Sequence, residues 1–193
     1  MFGLEPDRTK KTETQRSATC CYGMPYAAFA FGIVSVIAYS IWAFRIIPGQ
    51  GPMYGSIAVV YLVLSGLALS RLVVRPGTTG KFCAFFAFAF LVYAIDWCLF
   101  WFGLKGRFHA DLYGSAVGLA SMTWLFQKVF EKKGSFLIMF SVLFTFHTLG
   151  YYLGGEAYEL VGGSMGRILW GAGHGLGFGA GLGYLLHQCQ SEN

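Results

Sequence analysis

Six apolar stretches follow one another along this chain of 193 residues, each near the length of a membrane-crossing helix and separated by short polar breaks. They run Tyr26 to Phe44, Met53 to Ser70, Phe82 to Phe102, Leu112 to Phe130, Phe136 to Leu153 and Ile168 to Leu186. A bilayer needs roughly 20 apolar residues of helix to cross its hydrocarbon core, and inside that core a backbone must satisfy its own hydrogen bonds. The pattern therefore predicts an all-α, polytopic membrane helix bundle of about six transmembrane helices. The second and sixth stretches are the richest in small residues. Hydrophobic residues make up 55% of the chain and charged ones 12%, against roughly 25% charged in soluble domains. A water-soluble fold of this size could not hide that much apolar surface.

The expected organisation is a polar tail over residues 1–25, a six-helix domain over 26–187 and a short C-terminus over 188–193. Lys and Arg mark the orientation, because cytoplasmic loops carry the excess. One side takes Arg8, Lys10, Lys11, Arg16, Arg71, Arg75, Lys81, Lys128, Lys132 and Lys133, while the other takes Arg45, Lys105, Arg107 and Arg167. Ten against four places both termini in the cytoplasm. The net charge of +5 is spread over these loops and forms no basic stripe, so no nucleic-acid partner is expected. Residues 1 to 18 are polar, and Glu5, Asp7 and Glu13 break the acid-poor pattern of a mitochondrial presequence. Cys20, Cys21, Cys83 and Cys189 fall at the inner interface and Cys98 within the third helix, so no pair is set for an outer disulfide. The Cys20-Cys21 pair reads either as small hydrophobes at a helix end or as an S-palmitoylation site.

Ionisable residues inside a membrane helix are costly and mark functional sites. Asp96, His147 and His174 each lie six residues from the outer end of their helix, at roughly 9 Å depth. His109 and Asp111 sit just above them at the start of the fourth helix, and Glu156 and Glu159 in the last outer loop. Equal depth on three helices is what a shared site requires; the alternative is that each polar group hydrogen-bonds a neighbouring helix and performs no chemistry.

The sixth stretch reads GAGHGLGFGAGLG from Gly171 to Gly183. On a helix this alternation gives two rows of every fourth residue, Gly171-Gly175-Gly179-Gly183 and Gly173-Gly177-Gly181. These overlapping small-xxx-small motifs predict close contact on two sides. Around His174 the same glycines could clear space for a haem, with His147 as the second axial ligand. Gly162 to Gly166 matches the G-x-S-x-G pattern of serine hydrolases around Ser164, but without the strand-to-helix elbow that pattern needs.

From His109-Ala110 through Glu131 and Gly134-Ser135 to the Gly/Ser turn at 162 to 166, the rhythm resembles part of a rhomboid intramembrane protease. That covers under a third of the chain. The turn is not G-x-S-G, and three helices precede the segment where one is usual. Three His and an Asp look a little like the zinc-dependent membrane hydrolases related to alkaline ceramidases, without their H-x-x-x-H pair or their seven helices. No family assignment follows.

Four functional readings emerge. The first is an accessory or structural subunit of a larger membrane complex, with the lipid bilayer and other membrane subunits as partners, or self-association through the glycine-rich sixth helix. The second is a metal-dependent intramembrane hydrolase, zinc being a candidate metal, with His109, His147 and His174 as ligands and Asp96 or Asp111 in a catalytic role. An electron-transfer subunit would hold haem b between His147 and His174, and a proton-coupled transporter would use Asp96 and His147.

Overall fold

Apolar side chains leave these stretches no water to bond with, so each backbone closes its hydrogen bonds within itself as a helix. A computed structural model describes residues 20–73 and 77–191. Six helices follow in order: α1 (Cys20–Ala43), α2 (Gln50–Ser70), α3 (Thr79–Gly103), α4 (Ala110–Val129), α5 (Phe136–Val161) and α6 (Gly163–Gln190). No strand occurs among the described residues. Most of the expected tail, with Arg8, Lys10, Lys11 and Arg16, lies outside the described residues, as do Arg75 and the Cys20 and Cys21 side chains.

Four helices, α1 from Tyr22, α2, α3 and α5, are long and apolar enough to cross a membrane. The second stretch therefore meets the criterion despite its small residues, whereas α4 and α6 are similar in length and less apolar. Their composition follows from their neighbours, since α4 buries Gly114, Ser115, Gly118 and Thr123 and α6 buries six of its glycines against other helices, alongside larger apolar residues. Outside, rows of large apolar residues at helical spacing face away from the bundle: Phe29, Ile33 and Ile37 on α1, Val59, Val63 and Leu67 on α2, Leu91, Ile95 and Leu99 on α3. A soluble monomer does not expose belts of this kind. The architecture is consistent with an integral membrane protein.

Neighbours in sequence pack antiparallel, and α6 closes the ring by packing on both α5 and α1. The two glycine rows divide this work. A Cβ at Gly171 would meet Tyr39 at 2.6 Å, one at Gly175 would meet Ser35, one at Gly179 the Ala27 carbonyl, and one at Gly183 the Gly23 carbonyl at 2.6 Å; all four lie on α1. On the other row, Gly173 faces Gly154 and Gly150, Gly177 faces Phe146 and Gly150, and Gly181 faces Leu143, all on α5. Glycines on α5 join the seam, so backbone meets backbone. Both rows are thus occupied within the chain, and neither is left free to pack a second copy.

The expected outer loop between the fifth and sixth stretches is instead helical. α5 continues to Val161, Gly162 turns the chain at φ 67°, and α6 begins at Gly163. Gly154 packing on Trp170 and Gly166 on Tyr158 hold the two helices together past their apolar lengths. Glu156, Glu159 and Ser164 accordingly sit on helices.

One half of the ring is filled by phenylalanine. Phe82, Phe85, Phe86, Phe126 and Phe130 are fully or almost fully buried there, with Phe85 and Phe126 edge to face at 4.9 Å. α2 is pinned to α3 in this half, where a Cβ on Gly66 would stand 2.9 Å from the Cys83 Cα. At the opposite end α1, α3 and α5 finish and α2, α4 and α6 begin, and four of the five tryptophans gather there: Trp42, Trp97, Trp101 and Trp170. Tryptophan belts of this kind sit at membrane–water interfaces.

Candidate functional site

A chain of polar side chains crosses the bundle below the tryptophans, one from each of four helices. His147 on α5 and His174 on α6 face each other because α5 and α6 meet glycine to glycine, bringing the two Nε2 atoms to 3.2 Å. The rings are perpendicular, with centroids 4.9 Å apart. Tyr93 on α3 places its hydroxyl 2.9 Å from the same Nε2 of His147. Tyr39 on α1 places its own hydroxyl 3.4 Å from Nδ1 of His174. The order across the bundle is Tyr39, His174, His147, Tyr93.

Proton positions follow from the bonding. His147 is 2% exposed, and its Nδ1 has no hydrogen-bond partner among the described residues. A bare lone pair is a lesser loss there than an orphaned N–H, which native interiors rarely contain. The neutral ring therefore carries its proton on Nε2, where it is shared between the Tyr93 oxygen at 2.9 Å and Nε2 of His174 at 3.2 Å. Two N–H groups do not face each other at 3.2 Å, so Nε2 of His174 is bare and its own proton sits on Nδ1, toward the Tyr39 hydroxyl. At 3.4 Å that last bond is well beyond the usual N–H···O length.

Above the chain lies a cavity of about 340 Å³, walled by Trp42, Trp97, Tyr151, Trp170 and Tyr54, with Tyr39 and His174 in its lining. Its floor is aromatic. Tyr61 stacks on Phe90 at 5.2 Å, and behind the lining Tyr93 the buried Phe178 packs edge to face on it at 5.2 Å and tilted against Phe31 at 5.1 Å. Tyr61 is anchored to Ser35 at 2.6 Å, which in turn donates to the Gly171 carbonyl at 2.7 Å. No Asp, Glu, Lys or Arg is among the lining residues.

The chain matches no protein-family model, no curated protein and no solved structure. What can be said of its activity therefore comes from the site alone.

Of the residues singled out from the sequence, the structure brings His147 and His174 together. Asp96 lies one turn along α3 from Tyr93 and off the cavity wall, with its Oδ2 buried and without a partner among the described residues. His109 is exposed at the start of α4, in left-handed backbone at φ 55°. Asp111 accepts a hydrogen bond from the Tyr152 hydroxyl at 3.1 Å, tying α4 to α5. Ser164 donates to the Ala43 carbonyl at 2.9 Å and so fastens α6 to the end of α1. Its proton is spent on structure.

Neither expected cofactor meets a complete set of ligands. Among the described residues no group of three or more His, Cys, Asp or Glu could hold a metal ion; the histidine pair supplies two ligands where a catalytic zinc site takes three. Haem between the two histidines needs nitrogens about 4 Å apart, given metal–nitrogen bonds near 2 Å, and a slot for the macrocycle. The 3.2 Å spacing and the backbone contact of Gly150 and Gly154 with Gly173 and Gly177 leave none. The glycines serve helix contact, not cofactor clearance.

Sequence reasoning missed Tyr39 and Tyr93, which complete the polar chain, and the tryptophan wall. The signal was available: a tyrosine well inside an apolar stretch must find a partner for its hydroxyl, and a histidine on a neighbouring helix is such a partner.

Proposed function

We propose that this protein binds a neutral, flat hydrophobic small molecule within the membrane, in the cavity at its tryptophan-rich end. The observation that carries this is the cavity itself: about 340 Å³ of space walled by aromatic rings, with a convergent polar pair, Tyr39 and His174, at one place in its lining. Small-molecule sites have this composition and begin near this size. Behind the lining residues Phe90 and Tyr93 lies the fully buried Phe31 and Phe178 pair, which favours binding over passage through the bundle. The ten-to-four distribution of Lys and Arg supports placing the cavity in the non-cytoplasmic leaflet. The outward apolar belts also suit docking against other membrane subunits, and an accessory role in a complex is compatible with a bound small molecule.

Naphthalene, a flat hydrocarbon that a micelle can carry, provides the test. Ala58 lines the cavity and is half-buried, so Ala58→Trp fills space that a ligand would occupy. Naphthalene is expected to raise the melting temperature of the wild-type protein in saturable fashion, since a ligand bound to the folded state alone stabilises it, and to leave the variant's unchanged. An unchanged wild-type melting temperature, or the same rise in Ala58→Trp, would rule out the cavity as the binding site.

A further inference from the structure

We infer that the occupant of this cavity is the carbonyl-bearing ring of a membrane-dissolved molecule, held by Tyr39 and His174, with an apolar tail leaving sideways between α2 and α3. The inference rests on the binding reading above and names the chemistry of its ligand.

The polar pair decides what the ring must carry. With the His147 proton on Nε2, His174 offers Nδ1–H, and the Tyr39 hydroxyl beside it is a second donor. Both residues line the cavity, and the 3.4 Å bond between them leaves each poorly satisfied. A carbonyl oxygen has two lone pairs and can accept from both. A carboxylate would bring a negative charge into a lining without a cationic residue, and an ammonium has only donors to set against two donors. The walls favour a ring, because Trp42, Trp97, Tyr151 and Trp170 offer faces and edges for stacking.

The tail follows from where the wall is open. Among the lining residues, those exposed are Tyr54 on α2 and Cys98 and Phe102 on α3. Ala58 and Ala94 line the same gap with small side chains. These two helices are clamped at their other end by Gly66 against Cys83, while toward the tryptophan-rich end both border the cavity. Each of the gap residues lies inside an apolar stretch of α2 or α3, so the opening faces lipid tails. A molecule with its ring in the cavity can leave a hydrocarbon chain in the bilayer through it.

Cys98 at the rim reports occupancy. In a variant carrying Cys20→Ser, Cys21→Ser, Cys83→Ser and Cys189→Ser, the rate of Cys98 alkylation by N-phenylmaleimide in micelles is followed by mass spectrometry. The probes are decyl-trimethyl-benzoquinone, whose fully substituted ring does not add thiols, the tailless tetramethyl-benzoquinone, and the hydrocarbon of the same outline as the first. Decyl-trimethyl-benzoquinone is expected to slow alkylation saturably. The hydrocarbon should need at least about tenfold more for the same effect, since tenfold is the value of about one lost hydrogen bond in a buried site and it forfeits two, and the tailless quinone should also protect less well. His174→Phe should shrink the advantage of the quinone over the hydrocarbon and His174→Phe with Tyr39→Phe should remove it, while Ala94→Trp, which fills the gap, should abolish protection by both tailed probes. Equal protection by quinone and hydrocarbon overturns the carbonyl contact and leaves the cavity reading standing. Equal protection by the tailed and tailless quinones overturns the lateral exit. Failure of every probe to protect Cys98 removes the cavity reading as well. If His174→Phe does not fold, Tyr39→Phe takes its place, and the probe comparison on the parent protein decides independently of either.

Discussion

Gly177→Ala tests the seam that brings the two histidines together. A methyl group on Gly177 would meet the Phe146 carbonyl, the Gly150 Cα at 2.7 Å and the Gly150 nitrogen at 3.0 Å. All three are backbone atoms of α5, so no side chain can turn aside. Ordinary carbon–carbon contact lies near 3.5 to 4.0 Å, which requires α5 and α6 to separate by about 1 Å. A gap of that size forfeits roughly a quarter to a half of each dispersion well along the seam, and overpacking of this kind costs about 1–3 kcal/mol. The same movement stretches the 3.2 Å His147–His174 contact beyond hydrogen-bonding range, adding about 1 kcal/mol. The gain in helix propensity from Gly to Ala offsets up to about 1 kcal/mol. The net expectation is a loss of about 2 kcal/mol, measured by reversible SDS unfolding in mixed micelles. Gly55→Ala is the control, because nothing lies within 4 Å of its added Cβ; it should be neutral or slightly stabilising. A Gly177→Ala protein within about 0.5 kcal/mol of wild type would refute the backbone-contact argument, since surface-like substitutions fall in that range.

Two further predictions address the sequence motif and the orientation. Ser164→Ala removes the bond to the Ala43 carbonyl and is expected to cost about 0.5–1.5 kcal/mol while leaving the naphthalene-induced stabilisation intact; loss of that stabilisation would place Ser164 in the site. Reporter fusions to the N- and C-termini should both report the cytoplasmic side, as the excess of Lys and Arg there requires. A single terminus on the opposite side would mean an odd number of crossings and would overturn the six-span orientation.

Legibility in the sequence followed the range of the interaction concerned. Helix number, the polar breaks and the two-sided role of the sixth helix depend on residues within one stretch, so spacing alone revealed them: the two glycine rows read from the sequence are the rows that pack on α1 and α5. The extent of the last two helices was not legible, because α5 and α6 continue past their apolar lengths through contacts between them, such as Gly154 with Trp170. For the site, equal depth selected His147 and His174, which do meet, and with them Asp96, for which depth says nothing about facing. Asp96 shares the layer and lies off the cavity wall.

The sequence by itself determined that this chain is a bundle of six helices with an apolar exterior, since length, composition and periodicity act locally and need no partner. Tertiary structure alone decided which polar groups converge, because that depends on helix rotation, and rotation is set by where glycine permits close approach. Gly150 against Gly173 and Gly177 turns His147 toward His174, and the Tyr39 and Tyr93 hydroxyls then complete the chain from α1 and α3. The cavity belongs to the same level: its lining is drawn from α1, α2, α3, α5 and α6 together, a relation between helices that none of them encodes alone.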